Sequence, residues 1–269
     1  VRDMNPTYQS GFYAPGRGVA KHPELWRGCV GAWNPGLGVS GSTLYDNSAN
    51  KNDVKFSSGL SSTVWQKQSG SSVIDYVGTT SQPFTTNKLI NNVAVTVSLW
   101  ISRNGNGGGL YAFPLGISSF GQQGWRFWQS ATEGEYYWSI NSYNTAGHLI
   151  TLPVLTNRRF THWVGMFDGT KSSAYVDGLF IQEKTPGVSL DWTGATGAFF
   201  NRPGWSSFSG SLADTRIYNR ALSAQEIRLL AQRPGIAYEL APRKSYFLPP
   251  SPSSQFYDVL SPSIFAGSI

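Results

Sequence analysis

Hydrophobic and polar residues alternate along much of this chain with a period of two, the pattern of half-buried β-strands. The clearest example places Val93, Val95, Val97, Leu99 and Ile101 on one face, with smaller or polar residues on the other. Similar β-prone runs, separated by turns rich in Gly, Asn and Ser, cover 73–77, 92–102, 110–117, 124–129 and 136–142. This spacing predicts an antiparallel β-sandwich in which the second of these runs is a central strand.

One strand leads directly into a short helix. Side chains alternate over 212–219, and Ser223 and Glu226 then form a capping box, the usual start of a helix. Pro234 is expected to end this helix, because proline cannot continue it. The pattern predicts a helix over 223–232.

Turn residues define further elements. Residues 159–183 are predicted to form two adjacent hairpins, because Asp168 and Asp177 are each followed by glycine between β-prone runs. The glycine-rich stretch 104–109 lacks the lysine and the strand-to-helix context of a phosphate-binding loop. It is interpreted as a flexible turn.

Three motifs resemble those of laminin-G-like domains. Residues 210–227 read Gly-x-Leu-x-Asp-x-Arg-Ile-Tyr-Asn-Arg-Ala-Leu-Ser-x-x-Glu-Ile, which is similar to the closing signature of these domains. An Asp-x-Ser-x-x-x-Asn turn at 46–52 resembles their opening motif, and the hairpin that ends in Tyr-Val-Asp-Gly at 175–178 resembles their core strands. Over 28–232, the resemblance implies an all-β, concanavalin A-like jelly roll with one short C-terminal helix and extended terminal arms.

The chain divides into three predicted segments: an extended arm at 1–26, the jelly-roll domain at 27–233 and a docking tail at 234–269. The tail is rich in Pro and Ser but carries many large apolar residues, which favours contact with another surface. Residues 233–244 resemble the ending of laminin-G-like proteins of phage or viral type. This resemblance implies a virion-surface or extracellular location, with the arm and tail attached to a protein partner or to identical subunits.

Composition excludes several functional classes. The formal net charge is +6, but Lys and Arg are scattered without a long run, so a nucleic-acid-binding function is not favoured. No apolar stretch approaches the length of a membrane-spanning helix. Cys29 is the single cysteine, which rules out an internal disulfide framework and favours a buried reduced thiol.

Glycan binding is the leading functional hypothesis, because aromatic rings stack on sugars while Asn, Asp and Gly groups bond hydroxyls. Two loop tryptophans, Trp192 and Trp205, are expected to be exposed. About half of the strand aromatics are expected to lie in the core instead. The candidates on the concave sheet are Trp125, Trp128, Tyr136, Tyr137, Trp138 and Tyr143.

No cofactor is required by the sequence, but the resemblance implies one calcium ion as an option, held by acidic and amide oxygens. The matching residues are Asp46, Asn50, Asp53 and, from the closing motif, Asp214. The alternative is structural: Asp46 and its neighbour Ser48 would hydrogen-bond within their own turn.

The sequence favours a non-enzymatic protein. A retaining glycosidase needs two close carboxyl groups, and the only such pair, Glu133 and Glu135, lacks the third carboxylate of the glucanase motif. Two alternatives to a displayed glycan-binding domain stay open. One is a purely structural capsid decoration or fibre protein without a sugar site, and the less favoured one is a glucanase-like hydrolase.

Overall fold

A computed structural model gives the architecture of the chain. It describes residues 13–14, 18–37, 39–40, 42–56, 65–68, 71–76, 84–85, 93–108, 111–117, 123–132, 134–142, 145–193, 197–202 and 208–242. The strands are β1 (Tyr13–Ala14), β2 (Gly18–Val19), β3 (Cys29–Trp33), β4 (Val39–Ser40), β5 (Thr43–Leu44), β6 (Val54–Lys55), β7 (Trp65–Gln68), β8 (Ser71–Tyr76), β9 (Phe84–Thr85), β10 (Val95–Gly108), β11 (Phe113–Gly116), β12 (Trp125–Gln129), β13 (Tyr136–Ile140), β14 (Leu149–Leu152), β15 (Thr161–Phe167), β16 (Ser172–Val176), β17 (Leu179–Lys184), β18 (Phe199–Arg202), β19 (Phe208–Leu212) and β20 (Thr215–Tyr218). The helical elements in the described residues are α1 (Ala224–Leu230) and 3₁₀ turns at Pro23–Trp26, Ala146–His148 and Ile236–Tyr238.

The described strands build two antiparallel nine-stranded sheets and a separate antiparallel pair, β1–β2, which confirms the predicted all-β class. The first sheet has the order β17-β16-β15-β10-β19-β8-β7. β20 pairs with the first part of β10, on the same edge as β19, and β3 pairs with β20. The second sheet has the order β14-β13-β12-β11-β18-β9-β6-β5-β4. β10 is central, as predicted, because β15 pairs with one edge of it while β19 and β20 share the other.

The main core lies between the two sheets and is rich in aromatic rings. Trp163 of the first sheet packs on Phe127 and Tyr136 of the second, at centroid distances of 5.7 and 5.3 Å. Trp138 stacks beside Trp125 at 6.0 Å. Because side chains of a strand alternate between faces, the inward residues of each strand form this single interior layer.

Gly165 shows how closely the sheets approach. A Cβ added at this position in β15 would lie 2.2 Å from the indole of Trp138. Only glycine therefore allows the Trp138 ring to pack against the first sheet, where its Nε1 donates to Ser172 Oγ at 3.0 Å.

A second buried layer covers the outer face of the first sheet. α1 packs there through Ile227 and Leu230, beside Leu25 and the segment that follows the helix. The predicted capping box is present: Ser223 Oγ accepts from Glu226 N, and the Glu226 carboxylate accepts from Ser223 N. Burial alone would raise the pKa of Glu226, but hydrogen bonds from Arg220 and Ser223 outweigh it and lower the pKa to about 2.

Three local predictions need correction. The alternation over 212–219 does not form one strand, because a bend at Asp214 separates β19 from β20 and places both Leu212 and Ile217 in the main core. The stretch 104–109 is not a simple turn, since β10 continues to Gly108 through a register shift against β19. α1 is seven residues long, shorter than the predicted 223–232.

The two terminal segments meet on the first-sheet side. Lys21 N donates to Glu239 O and Ala241 N donates to Val19 O, both at 2.7 Å. Trp26 Nε1 donates to Ala237 O at 2.8 Å. Parts of the predicted arm and tail are thus held against the sandwich; the predicted domain boundaries stay a prediction.

No helix in the described part of the chain has the length and hydropathy needed to cross a bilayer.

Candidate functional site

The outer face of the second sheet carries a row of aromatic rings. In the antiparallel pair β12–β13, Trp128 lies directly opposite Tyr137. Strand alternation sends their neighbours Phe127 and Trp138 into the core, so Trp128 and Tyr137 face outward together. Tyr111, just before β11, completes the row on the other side of Trp128.

The three rings, here called the aromatic ladder (Tyr111, Trp128 and Tyr137), lie nearly parallel. Trp128 and Tyr137 have centroids 4.9 Å apart with planes inclined by 26°, and Tyr111 and Trp128 are 6.4 Å apart at 12°. Phe113 stacks beside Trp128 at 6.4 Å and contacts Phe199 edge to face. Packing on both sides fixes the central ring, which is only 5% exposed, while Tyr111 and Tyr137 are partly exposed.

The ring of Tyr137 is only partly covered by protein. Its cross-strand neighbour on β14 is Thr151, a short side chain that is itself exposed. On β14, Leu149 packs against the same aromatic cluster, whereas Thr151 is short and exposed, so an apolar sugar face would reach the Tyr137 ring over Thr151.

A polar turn borders the ladder. The exposed Glu135 carboxylate accepts hydrogen bonds through Oε2 from Ser130 Oγ at 2.9 Å and from Tyr137 Oη at 3.3 Å. The pKa of Tyr137 is raised by its partial burial, and then by the negative charge and hydrogen bond of Glu135. Tyr137 therefore stays a protonated donor at neutral pH, beside a carboxylate with acceptor capacity for a ligand hydroxyl.

Burial corrects part of the predicted aromatic set. Trp125, Tyr136 and Trp138 are each 0% exposed and lie in the main core, so their faces are covered by protein. Their positions on β12 and β13 have the parity opposite to that of Trp128 and Tyr137. Of the predicted residues that the structure describes, it brings Trp128 and Tyr137 together on the outer face.

The predicted aromatic residues outside β12 and β13 are Tyr143, Trp192 and Trp205. Trp192 is 8% exposed and belongs to the main core, which corrects the expectation of an exposed ring. Tyr143 and Trp205 lie outside the described residues. Tyr111 was missed as a candidate: it falls in the predicted run 110–117, but in the structure it precedes β11 at a turn with a positive φ of 56°, so alternation along the strand does not set its direction.

The Asp46 turn does not fit a calcium site. Asp46 Oδ1 accepts from Ala32 N and Ser48 N, both at 2.8 Å, and Oδ2 accepts from Ser48 Oγ at 2.7 Å and Asn52 N at 2.8 Å. These four bonds use the roughly four acceptor positions of a carboxylate. The turn is therefore held together by its own hydrogen bonds, the structural alternative considered above.

The other proposed ligands are also engaged elsewhere. Asp53 Oδ1 accepts from Asp46 N at 3.0 Å, and Asn50 Nδ2 donates to Val30 O at 3.0 Å. Asp214 binds Arg216 Nε through Oδ1 and Gly235 N through Oδ2. Among the described residues, no group of three or more His, Cys, Asp and Glu side chains is arranged to hold a metal ion.

A hydroxyl–imidazole pair also lies in the first sheet. Ser98 Oγ is 2.8 Å from His162 Nε2, but the two residues are only 1% and 0% exposed. The Asp177 carboxylate accepts from the backbone N–H of His162 instead of orienting its ring. The geometry is that of a buried structural pair, since a substrate cannot reach the hydroxyl in this structure.

Comparisons with known proteins relate the chain to one family. The Laminin G 3 family model, described as the concanavalin A-like lectin/glucanases superfamily, matches residues 69–228. The comparison with curated proteins finds no sequence match.

Solved structures share the fold at low sequence identity. The binding domain of Paraclostridial Mosquitocidal Protein 1 superposes with a TM-score of 0.59 at 18% identity, covering 77% of this chain and 52% of that one. Domain 4 of AbnA, a GH43 extracellular arabinanase from Geobacillus stearothermophilus in complex with arabinotriose, has a TM-score of 0.59 at 16% identity, covering 76% and 98%. The receptor binding domain of botulinum neurotoxin D has a TM-score of 0.55 at 11% identity, covering 77% and 53%. The chain thus spans about half the length of the two toxin domains that it matches.

Proposed function

This chain belongs to the concanavalin A-like lectin/glucanase superfamily, and from that premise we propose that it is a non-enzymatic glycan-binding domain whose binding surface is the aromatic ladder. The observation that carries the proposal is the row of three nearly parallel rings on an outer sheet face. A buried Trp128 fixes the row, and the partly exposed Tyr137 offers a ring face to a sugar.

The chemistry of the ladder suits a saccharide. Sugar C–H groups stack on an aromatic face, while the ring hydroxyls need both donors and acceptors close by. Tyr137 supplies the face, and Glu135 and Ser130 supply the polar groups at its edge. Support also comes from the arabinanase domain with the same fold, whose structure holds arabinotriose.

A glycan array followed by calorimetric titration of the best binder tests this proposal. Tyr137→Ala should weaken binding at least about tenfold, which corresponds to about 1.4 kcal/mol. Tyr175→Ala is the matched control, because Tyr175 is also a partly exposed strand tyrosine but lies in the first sheet. No binding to any glycan at millimolar concentration, or equal affinity in Tyr137→Ala and wild type, would refute the proposal.

The absence of catalysis is part of the same proposal and has its own test. Glu135 is exposed and hydrogen-bonded to Tyr137 and Ser130, and its sequence neighbour Glu133 lies outside the described residues. We expect the wild-type protein to release no reducing ends from β-glucans or arabinans. Turnover by the wild type that disappears in Glu135→Gln would instead establish a hydrolase.

We also propose that the terminal segments attach the domain to a larger assembly, such as a virion surface or another extracellular particle. The specific observation is that both segments meet: Lys21 pairs with Glu239 through backbone and side chain, and Ala241 pairs with Val19. The chain therefore enters and leaves the described domain at one place, a geometry suited to anchoring. A capsid decoration or fibre protein without a sugar site is the alternative that shares this feature.

Removal of residues 243–269 tests the anchor while leaving the paired segments intact. We expect the full chain to form a higher-order species by sedimentation velocity, either alone or with its partner. The shortened chain should sediment as a monomer. Identical behaviour of the two chains would refute the anchor without affecting the ladder.

A further inference from the structure

A cleft of about 470 Å³, which shares no lining residue with the ladder, lies between the turn after β3 and the segment that follows α1. Its volume falls within the usual range of small-ligand sites, about 300–1,000 Å³. The polar groups that line it come from separate parts of the chain, and the ones used below are Asn34, Ser72 and Glu239. Apolar lining comes from Leu37, Pro234 and Leu240.

The amide of Asn34 has a fixed orientation. Its Oδ1 accepts from Gly36 N at 2.9 Å, which identifies the oxygen and directs Nδ2 away from the turn. Nδ2 lies 3.4 Å from the point where a Cβ of Gly235 would stand. Since residue 235 is a glycine, no side chain stands between its backbone and the Asn34 amide.

Glu239 presents a carboxylate whose charge is balanced. Oε2 accepts from Lys21 Nζ at 3.0 Å, and Oε1 accepts from Arg233 Nη2. Hydrogen bonds from these two cations lower the pKa of Glu239, so it stays ionised at neutral pH. The cleft thus contains an acceptor held in place by cations, rather than an uncompensated negative charge.

The wall behind Glu239 is rigid. Tyr238 packs edge to face on Trp26 at 5.2 Å, and the guanidinium of the buried Arg216 lies 4.3 Å from the Tyr238 ring centroid. The neighbouring Gly235 N is tied to Asp214 Oδ2 at 2.9 Å. These contacts fix the segment before any ligand binds, which reduces the entropic cost of binding.

We propose that this cleft is a second ligand site that takes one or two units of a neutral saccharide. A sugar hydroxyl both donates and accepts, so it can donate to Glu239, accept from Asn34 Nδ2 and do either with Ser72. A ligand with an acidic group would meet the Glu239 carboxylate, and a cationic ligand would compete with Lys21 and Arg233 for it. The mixed polar and apolar lining matches a ring that has hydroxyls at its edge and C–H groups on its faces.

Backbone amide chemical shifts of the full chain, recorded with glucose, galactose and arabinose separately at millimolar concentration, test the site. We expect at least one sugar to shift the amide resonances of Gly36 and Gly235. Asn34→Asp keeps the acceptor for Gly36 N but removes the donor, so it should reduce the apparent affinity about tenfold. Ser72→Ala should also weaken binding, and it supplies a second test if the first variant perturbs the turn.

Tyr137→Ala is the control that separates this site from the ladder. It should leave the Gly36 and Gly235 shifts unchanged. Shifts confined to residues of β12 and β13 would support the ladder but overturn the second site. The second site is also overturned if no sugar shifts the amide resonances of the two glycines. It is likewise overturned if the affinity obtained from these shifts is the same in the wild type as in both Asn34→Asp and Ser72→Ala.

Discussion

Acidification from pH 7 to pH 5 should destabilise this protein through one buried imidazole. His162 is 0% exposed in the first sheet, where its Nε2 meets Ser98 Oγ and its ring lies 5.2 Å from that of Trp100. Nδ1 has no hydrogen-bond partner among the described residues. Burial lowers the pKa of His162 from 6.5 to about 3, because the charged imidazolium would lose its contact with water.

The sign and size follow from the two pKa values. Well above pH 6.5 the imidazole is neutral in both the folded and the unfolded chain, so its burial does not make folding stability depend on pH. As pH falls from 6.5 toward 3, the unfolded chain takes up a proton that the folded chain does not, and folding stability is lost. At pH 5 the solution is about 1.5 pH units below the pKa of the imidazole in the unfolded chain, which lowers the free energy of unfolding by about 2 kcal/mol. Glu226, whose pKa is lowered from 4.5 to about 2, loses its own contribution to stability mainly below pH 4.5, outside this window.

Urea unfolding followed by fluorescence of the ten tryptophans measures this loss. His162→Gln keeps a neutral hydrogen-bonding group beside Ser98, so its stability should change far less between pH 7 and pH 5 than that of the wild type. His148→Gln, at a partly exposed position, is the control and should retain most of the wild-type pH dependence. A wild-type change below about 1 kcal/mol, or the same change in His162→Gln, would show that His162 is not the responsible group.

The remaining predictions concern packing, capping and reactivity. Gly165→Ala should destabilise the fold by at least about 1–3 kcal/mol, because its Cβ would overlap the Trp138 indole; a smaller loss in urea unfolding would mean that the sheets separate easily. Ser223→Ala should cost about 1 kcal/mol by removing the cap that accepts from Glu226 N, and an unchanged urea midpoint would argue against the cap. Cys29 is only partly buried, but loss of solvation raises the pKa of its thiol to about 12, so it should resist iodoacetamide at pH 8 until urea unfolds the chain, whereas rapid labelling of the folded protein would contradict the raised pKa.

Much of the fold could be predicted because its signals are local. Alternation in 92–102 identified the central strand, since the core face of a strand is set by a period of two. Ser223 and Glu226 identified the start of α1, because a capping box involves residues only three apart. Glycine after Asp168 and Asp177 identified the hairpin turns for the same reason.

The prediction failed where distant contacts overrule local patterns. The bend at Asp214 breaks an alternation that looked continuous, because Asp214 turns to bind Arg216 and Gly235. The glycine-rich stretch at 104–109 reads as a turn, yet β10 runs on to Gly108, which pairs with Phe208 of β19 after a register shift.

The candidate site illustrates the same division. The sequence by itself determined that β12 and β13 carry many aromatic residues and that neighbouring residues on each strand face opposite ways. Only the tertiary structure decided which face is the interior: Trp163 and Gly165 of the first sheet cover Trp138 and Phe127, which leaves Trp128 and Tyr137 on the outside beside Tyr111. Alternation depends on the geometry of a single strand, whereas burial depends on which sheet packs against it, and that contact joins residues far apart in the chain.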